Sequence, residues 1–517
     1  MTAKLEKAKE YEMVEDHQAG SRLKGSDTHV IAERGHLATD EHGQALLAFD
    51  RAAERRLRRK IDWYILPSVC FIYLFCFIDR ASVGNAKIAG FEKDLNMHGY
   101  DYNRALTVFY VAYTVFEYPC NILCKFMGPG WFLPCSTLGF GICTIGMAFV
   151  NNIHSVYAVR FLLGLFEAGM LPGIAYYLSR WYRRSELTFR LAVYCAMTPL
   201  AGAFGGLLAS AILTMDHFGS LHRWRMIFAI EGIITISIAL VAFITVTDRP
   251  SSARWLSQEE KDLAIARVKS ERIATTEILD KLDGKKVIRG ALSPMTLVIA
   301  FSFLLVCISV QGLAVFLPTI VKSIYPTRSV VYQQLHTVPP YVVGLFTCLL
   351  IPYISYRIDR RQIFLAGSAV PVMLGYAMFI GTNQGDTNAR YAATFLMASG
   401  IFIYGAMINA QVAANVVSDT SRASAIGMVA IFGNLGGLIS TWSYLPFDAP
   451  NYHIGNGLNL STSTALFLVS IVFYFYMKLD NRRRDRSRTS IQDKLAGLSY
   501  QQIQDLEWKH PGFRWKL

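Results

Sequence analysis

The sequence predicts an all-α integral membrane protein of twelve transmembrane helices in two pseudo-symmetric six-helix halves. Three observations carry that prediction. First, of the 517 residues 53% are hydrophobic and only 17% charged, with a mean hydropathy of +0.30. Second, the apolar residues come in long blocks, and a block of about 20 residues crosses the ~30 Å hydrocarbon layer as a helix. Third, the one long polar interruption, residues 248–293, divides those blocks six and six. The net charge of +13 does not point to nucleic acid, because the basic residues stand just outside the apolar blocks. There they set topology and meet anionic lipid headgroups. The expected surroundings are a lipid bilayer and a small substrate, with the chain acting as a monomer and binding no nucleic acid.

Taken in order, residues 1–60 read as a polar, largely disordered N-tail without the early apolar core of a cleavable signal. The tail ends in a basic collar, RAAERRLRRK at 51–60. Spans are predicted near 62–83, 103–124, 131–150, 153–178, 188–213 and 225–247, the first half being 61–247. The second half, 294–478, holds spans near 294–321, 335–356, 363–381, 390–416, 422–444 and 460–478, and a C-tail follows at 479–517. The collar, RWYRR at 180–184, Arg190, Arg357, Arg360, Arg361 and RRRDRSR at 482–488 all fall in alternate connections. The positive-inside rule therefore predicts that both termini are cytoplasmic. In the connection 248–293, Ser257 and Glu260 form a capping box that opens a charged helix tethering the halves. The sequon Asn459-Leu-Ser461 abuts the last span too closely for a glycan. All nine Cys lie in or beside apolar blocks and read as packing residues.

The halves hint at repetition. The fifth span carries Gly202-Ala-Phe-Gly205-Gly206 and the eleventh Gly433-Asn-Leu-Gly436-Gly437, small-residue patches that permit close backbone approach. Pro119, Pro172, Pro199, Pro318 and the Pro339-Pro340 pair lie in or beside spans as candidate kinks.

Charges inside the spans need a reason, because each costs about 2.5–3.5 kcal/mol at the centre of the bilayer. Arg160 and Glu167 in RFLLGLFEAG sit seven apart, on nearly one helix face and roughly 10 Å apart in depth. They read either as a charge lock between helices or as an anion site beside a proton carrier. Asp79 and Arg80 end the first span at a depth similar to Arg160, and adjacent residues face ~100° apart. Glu117 and Glu231 are further intramembrane acids. Each can titrate, or be a fixed partner for an Arg, and Glu231 lies six residues from Arg225. The second half offers neutral amides instead: Gln311, Asn409, Gln411 and Asn415. Ungapped superposition of the tenth span on the fourth sets Thr394 opposite Arg160 and Ile401 opposite Glu167, so the charges are not repeated. That asymmetry reads either as charge handled by the first half and the uncharged body of the substrate by the second, or as amides that merely bond helix to helix. Tyr110, Tyr113, Tyr194 and Tyr341 are cavity or packing residues, and His336 stands near the start of the eighth span. No P-loop, HExxH, GxSxG, CxxC or dinucleotide fingerprint occurs, which argues against an enzyme and against a nucleotide-driven pump.

The motifs FIDRASVGNAKIAG (77–90), FEYPCN (116–121), RFLLGLFEAGMLPG (160–173), AGAFGGLLA (201–209), RWRMIFAIEG (223–232), FLPTIVK (316–322), TVPPYVVG (337–344), FGNLGG (432–437) and FDAPNYHIGNG (447–457) are similar to one family. The chain resembles the anion:cation symporters of the major facilitator superfamily, in the fungal allantoate-permease-like branch that includes nicotinate, pantothenate, biotin and allantoate carriers. It departs from the superfamily in its second-to-third connection, CKFMGPGW (124–131), which has no acid, whereas YRIDRR (356–361) keeps Asp359 as a gate-latch candidate.

The resemblance implies that the Asp79-Arg80 pair and the Arg160/Glu167 pair serve proton coupling and anion binding. From the residue types, Arg80 and Arg160 are expected to take the substrate carboxylate, Gln311, Asn409 and Gln411 its uncharged body, and Asp79 and Glu167 the proton, with Glu117, Glu231 and Asp359 secondary. Guanidinium groups would hold a carboxylate bidentately, and the acids would link its arrival to protonation. The expected activity is proton-coupled uptake of a small organic anion, nicotinate-like, across the plasma membrane, with the proton as coupling ion and no other cofactor. Allantoate, pantothenate or another monocarboxylate as cargo, a facilitator or exchanger, and a non-transporting nutrient sensor are the alternatives.

Overall fold

The computed structural model describes residues 50–276, 284–358, 360–415, 419–486, 507–509 and 513–515. Most of the expected N-tail, most of the C-tail and Asp359 lie outside the described residues.

The first half runs α1 (Arg51–Ile88), α2 (Asp101–Met127), α3 (Pro129–Ala148), α4 (Ile153–Glu167) with α5 (Met170–Ser179), α6 (Arg184–Cys195) with α7 (Met197–Leu213), and α8 (Trp224–Thr245). The linker carries α9 (Gln258–Thr276). The second half runs α10 (Pro294–Ile324), α11 (Val330–Leu335), α12 (Val338–Ile358), α13 (Arg361–Gly381), α14 (Thr387–Asn415), α15 (Asp419–Ser440) and α16 (His453–Arg486). The basic collar is not part of a tail: it is the first ten residues of α1, capped by Asp50, whose carboxylate accepts from the Ala52 N–H.

Two breaks in the first half have one cause. The fourth span divides at Ala168-Gly169 and the fifth at Ala196. Each break falls three to four residues before a proline, Pro172 and Pro199, whose ring clashes with the carbonyl four residues earlier and whose nitrogen donates no bond. Pro119 and Pro318, by contrast, lie within continuous helices.

Among the described residues nine helices are long and apolar enough to cross a membrane. The other three expected spans, α2, α14 and α15, are helical too; α2 is the more polar of them, and Ser424–Ser440 of α15 is a shorter apolar run. α2 and α15 face each other across the two halves. Asn103 Nδ2 donates to the Thr441 carbonyl and Asn434 Nδ2 to Glu117 Oε2. Apolar composition alone under-reads a helix whose polar face is turned inward.

The helix pairings repeat between the halves. α8 packs on α3 as α16 packs on α13, α2 on α4 as α12 on α14, and α1 on α7 as α10 on α15. One end of the bundle carries the basic connections; the opposite, far end carries the C-termini of α1, α7, α10 and α15 and the starts of α2 and α12. The halves close on each other there. A Cβ on Gly84 would stand 2.1 Å from the Val315 carbonyl oxygen, and one on Gly206 would stand 2.6 Å from Thr337 Oγ1. Gln334 Nε2 donates to the Asn85 carbonyl at 3.2 Å, and Trp442 Nε1 to Thr107 Oγ1 at 3.0 Å.

The linker is more than a tether. The Ser257–Glu260 capping box forms in both directions, at 3.0 and 3.3 Å, and Lys60 reaches Glu260 at 2.6 Å. Arg267, with no exposed side-chain surface, lies 2.7 Å from Glu186 and 3.7 Å from Glu54. Arg183 joins Glu54 at 2.9 Å and Arg58 joins Glu186 at 3.4 Å. Trp255 lies between Tyr64 and Trp181, stacked on both. The linker helix is thus fastened to the first half. The sequon asparagine is buried inside α16, where Asn459 accepts from Ser309 at 2.7 Å and donates to the Gly455 carbonyl.

Candidate functional site

The site is assembled from α1, α2, α4 and α8, and its charges are sealed from the surface. Asp79 is 1% exposed, Arg160 1%, Glu167 0% and Glu231 0%. Burial at this depth leaves each charge dependent on what the neighbouring helices offer.

Arg80 and Glu167 are paired. Arg80 Nε donates to Glu167 Oε2 at 3.1 Å and Nη2 to the same oxygen at 2.7 Å. The guanidinium is walled by three rings, Phe77, Phe109 and Tyr113, whose centroids lie 4.8, 5.2 and 5.0 Å from Cζ. Arg80 was expected to bind substrate; here its side-on edge is occupied by the protein's own carboxylate. Glu167 lies deeper than Arg160 by helix rise, and the long Arg80 side chain reaches it.

Arg160 is placed differently. Its Nε and Nη2, the same edge that Arg80 uses, are buried and have no hydrogen-bond partner among the described residues. It stands within electrostatic reach of Tyr102, Glu167, Asp79 and Tyr110. Both of those tyrosine hydroxyls are also buried without a partner among the described residues.

The remaining acids take neutral partners. Thr235 of α8 donates to Asp79 Oδ2 at 3.1 Å, and Ser82 of α1 donates to Glu231 Oε2. The second oxygens of Asp79, Glu167 and Glu231 have no partner among the described residues. The proximity of Glu231 to Arg225 in the chain did not become a pair. Arg225 turns to the Ala148 carbonyl, 2.7 Å, and to Asn151, 3.2 Å. Glu117 is tied to Asn434 across the halves.

In the second half, Gln311 is partly buried with its Oε1 unpartnered among the described residues, and Gln411 is fully buried. Asn409 lies on α14, but its side chain is outside the described residues. Asn415 bonds within its own helix to the Gln411 carbonyl at 3.1 Å. Tyr194 packs edge-on to Tyr73, and Tyr341 spends its hydroxyl on the Leu313 carbonyl. Sequence reasoning missed Thr235, Ser82 and Asn434, which are neutral residues with no desolvation signal. It also missed Lys87, although Lys87 lies seven residues past Arg80 on the same face of α1.

Two packed six-helix halves with ionisable groups gathered at depth in one of them define a membrane transporter rather than an enzyme. The sequence model of the Major Facilitator Superfamily matches residues 69–441, and the chain belongs to that superfamily. An uncharacterized transporter of Schizosaccharomyces pombe is 31% identical over 469 residues, covering 90% of this chain and 91% of that protein. A major facilitator-type transporter of Emericella nidulans is 30% identical, covering 90% and 94%. The high-affinity nicotinic acid transporter of Saccharomyces cerevisiae is 28% identical, covering 91% and 87%. Among solved structures, the proton:xylose symporter XylE aligns with a TM-score of 0.63 at 14% identity, covering 81% of this chain and 96% of that one. At that identity the likeness shows the fold alone.

Proposed function

We propose that the protein takes up a small organic carboxylate together with protons by alternating access, with nicotinate as the first candidate. The observation that carries this reading is the buried Nε/Nη2 edge of Arg160, which has the donor geometry for one carboxylate and no acceptor among the described residues. Arg80 presents the same edge to Glu167, so the protein already contains the bond that the substrate would make. The division of labour is then simple. Arg160 receives the substrate carboxylate, while Glu167, released from Arg80 by protonation, couples its arrival to a proton. Asp79 is a second proton carrier, and Gln311, Gln411 and Asn409 meet the uncharged body of the substrate. Midplane binding between two helical repeats that rock about it is how this architecture exposes a site to either side in turn. The charge distribution supports cytoplasmic termini with the far end outside; the plasma membrane is the proposed location. The nicotinic acid transporter relative makes nicotinate the first acid to try.

The test is uptake of radiolabelled nicotinate, pantothenate and allantoate at two external pH values in cells lacking their own carriers. One acid is expected to accumulate, faster at lower pH. In Arg160→Gln, loss of a charge-assisted bidentate contact, about 1.5–3 kcal/mol, should cost tenfold or more in uptake at equal surface expression. Accumulation of none of these acids, or an Arg160→Gln protein that transports like wild type, would refute the proposal.

A further inference from the structure

We infer that Lys87 is a separate receiving site for the organic carboxylate at the far end of the bundle, met before Arg160 and covered in this closed arrangement by a tethered anion, Glu92. The inference rests on the anion-uptake reading above. Lys87 is in the last turn of α1, seven residues and about 10 Å beyond Arg80 on the same face. Its ammonium lies 4.0 Å from the Tyr102 ring centroid, 5.7 Å from that of Phe316 and 3.3 Å from Glu92 Oε1. Tyr102 belongs to the first half and Phe316 to the second, so the ammonium stands in the seam between them. The Gly84–Val315 approach and the Gln334–Asn85 hydrogen bond close that seam around it. A substrate entering from this end has to part these contacts. Parting them lifts Phe316 away and leaves Lys87 and Tyr102 on the entrance wall.

What lies below makes the position useful. The Tyr102 hydroxyl is buried without a partner among the described residues, and Tyr102 is within electrostatic reach of Arg160. Cation, hydroxyl and cation therefore run inward from the far end to the site. Lys322, in the last turn of α10, is a second cation within electrostatic reach of Lys87. An ammonium suits a transient stop: it is a compact, strongly hydrated point charge without the planar fork that makes guanidinium the firmer carboxylate ligand. A carboxylate can be drawn to Lys87 and passed to the bidentate edge of Arg160. Glu92, whose side chain is 36% exposed, supplies the carboxylate while the seam is shut and has to yield when substrate enters.

The test compares uptake kinetics from the outer face, in cells, with kinetics from the opposite face, in inside-out vesicles. The probes are radiolabelled nicotinate, pantothenate and allantoate. Lys87→Met should raise the outer-face KM about fivefold and flatten its dependence on ionic strength, with Vmax and the opposite-face KM within about twofold of wild type. Lys87→Arg should keep the outer-face KM at or below the wild-type value but lower Vmax, because guanidinium holds the carboxylate more firmly, and Glu92→Gln should lower the outer-face KM. An unchanged outer-face KM in Lys87→Met overturns the inference. So does an equal rise on both faces, or a loss of Vmax alone, which are the results of a merely structural latch. If wild-type protein carries none of the three acids, the uptake reading fails and this inference with it.

Discussion

Two buried arginines end in opposite circumstances: Arg80 is satisfied by Glu167, and Arg160 has its best donor edge unmet among the described residues. The contrast makes Glu167 the residue whose charge matters most to Arg80. Glu167→Gln keeps the shape and removes the charge. Uptake driven by an imposed pH gradient should fall at least tenfold in this variant, while exchange of labelled for unlabelled acid at equal pH persists. Gradient-driven uptake at the wild-type rate would remove Glu167 from the coupling. The identities of the buried charges were legible in the sequence, because a charge inside an apolar run announces its own cost. Their partners were not. Thr235 and Ser82 reach Asp79 and Glu231 from within runs where a hydroxyl carries almost no signal, and chain proximity wrongly suggested Arg225 for Glu231.

At the level of elements, glycine and proline decide where helices break and where they touch. Pro172 and Pro199 were legible as candidate kinks; that each divides its span in two was not. Nor did hydropathy identify the inward-turned polar face of α2. Gly84 is the position where α1 meets α10 backbone to backbone, and a carbonyl cannot rotate out of the way as a side chain can. Gly84→Ala should therefore hold the far end apart, at a cost typical of overpacking, about 1–3 kcal/mol. The check is labelling of Thr441→Cys by a membrane-impermeant maleimide. Thr441 is 1% exposed in this closed arrangement, and its labelling should rise several-fold in the Gly84→Ala background while uptake falls. Equal labelling in both backgrounds would show that α1 and α10 tolerate the extra carbon.

For the whole molecule, the sequence made the two-half architecture legible through block length and one polar interruption, and the repeated helix pairings agree with it. It did not show that the linker is fastened to one half, because the fastening depends on residues far apart in the chain: Glu54, Glu186 and Arg267. Removing one member of a buried ion pair costs about 3–5 kcal/mol when its partner is left alone. Here Glu54 keeps Arg183 and Glu186 keeps Arg58, so Arg267→Ala should cost less than that. The expected result is a linker that proteases cut faster near 255–276, with a lower midpoint of thermal aggregation and little change in KM. Cutting at the wild-type rate would mean that Trp255 and Lys60 hold the linker without Arg267.

The rings of Phe77, Phe109 and Tyr113 around Arg80 have a consequence for leakage. Aromatic faces shield the cation but cannot accept its protons in line as water would, so Arg80 has little to turn to except another anion. Its bond to Glu167 is best exchanged directly for a new one, without a hydrated interval between. A carrier arranged in this way disfavours idle cycling, because the inner lock loosens readily only when a proton neutralises the carboxylate or a second carboxylate takes its place.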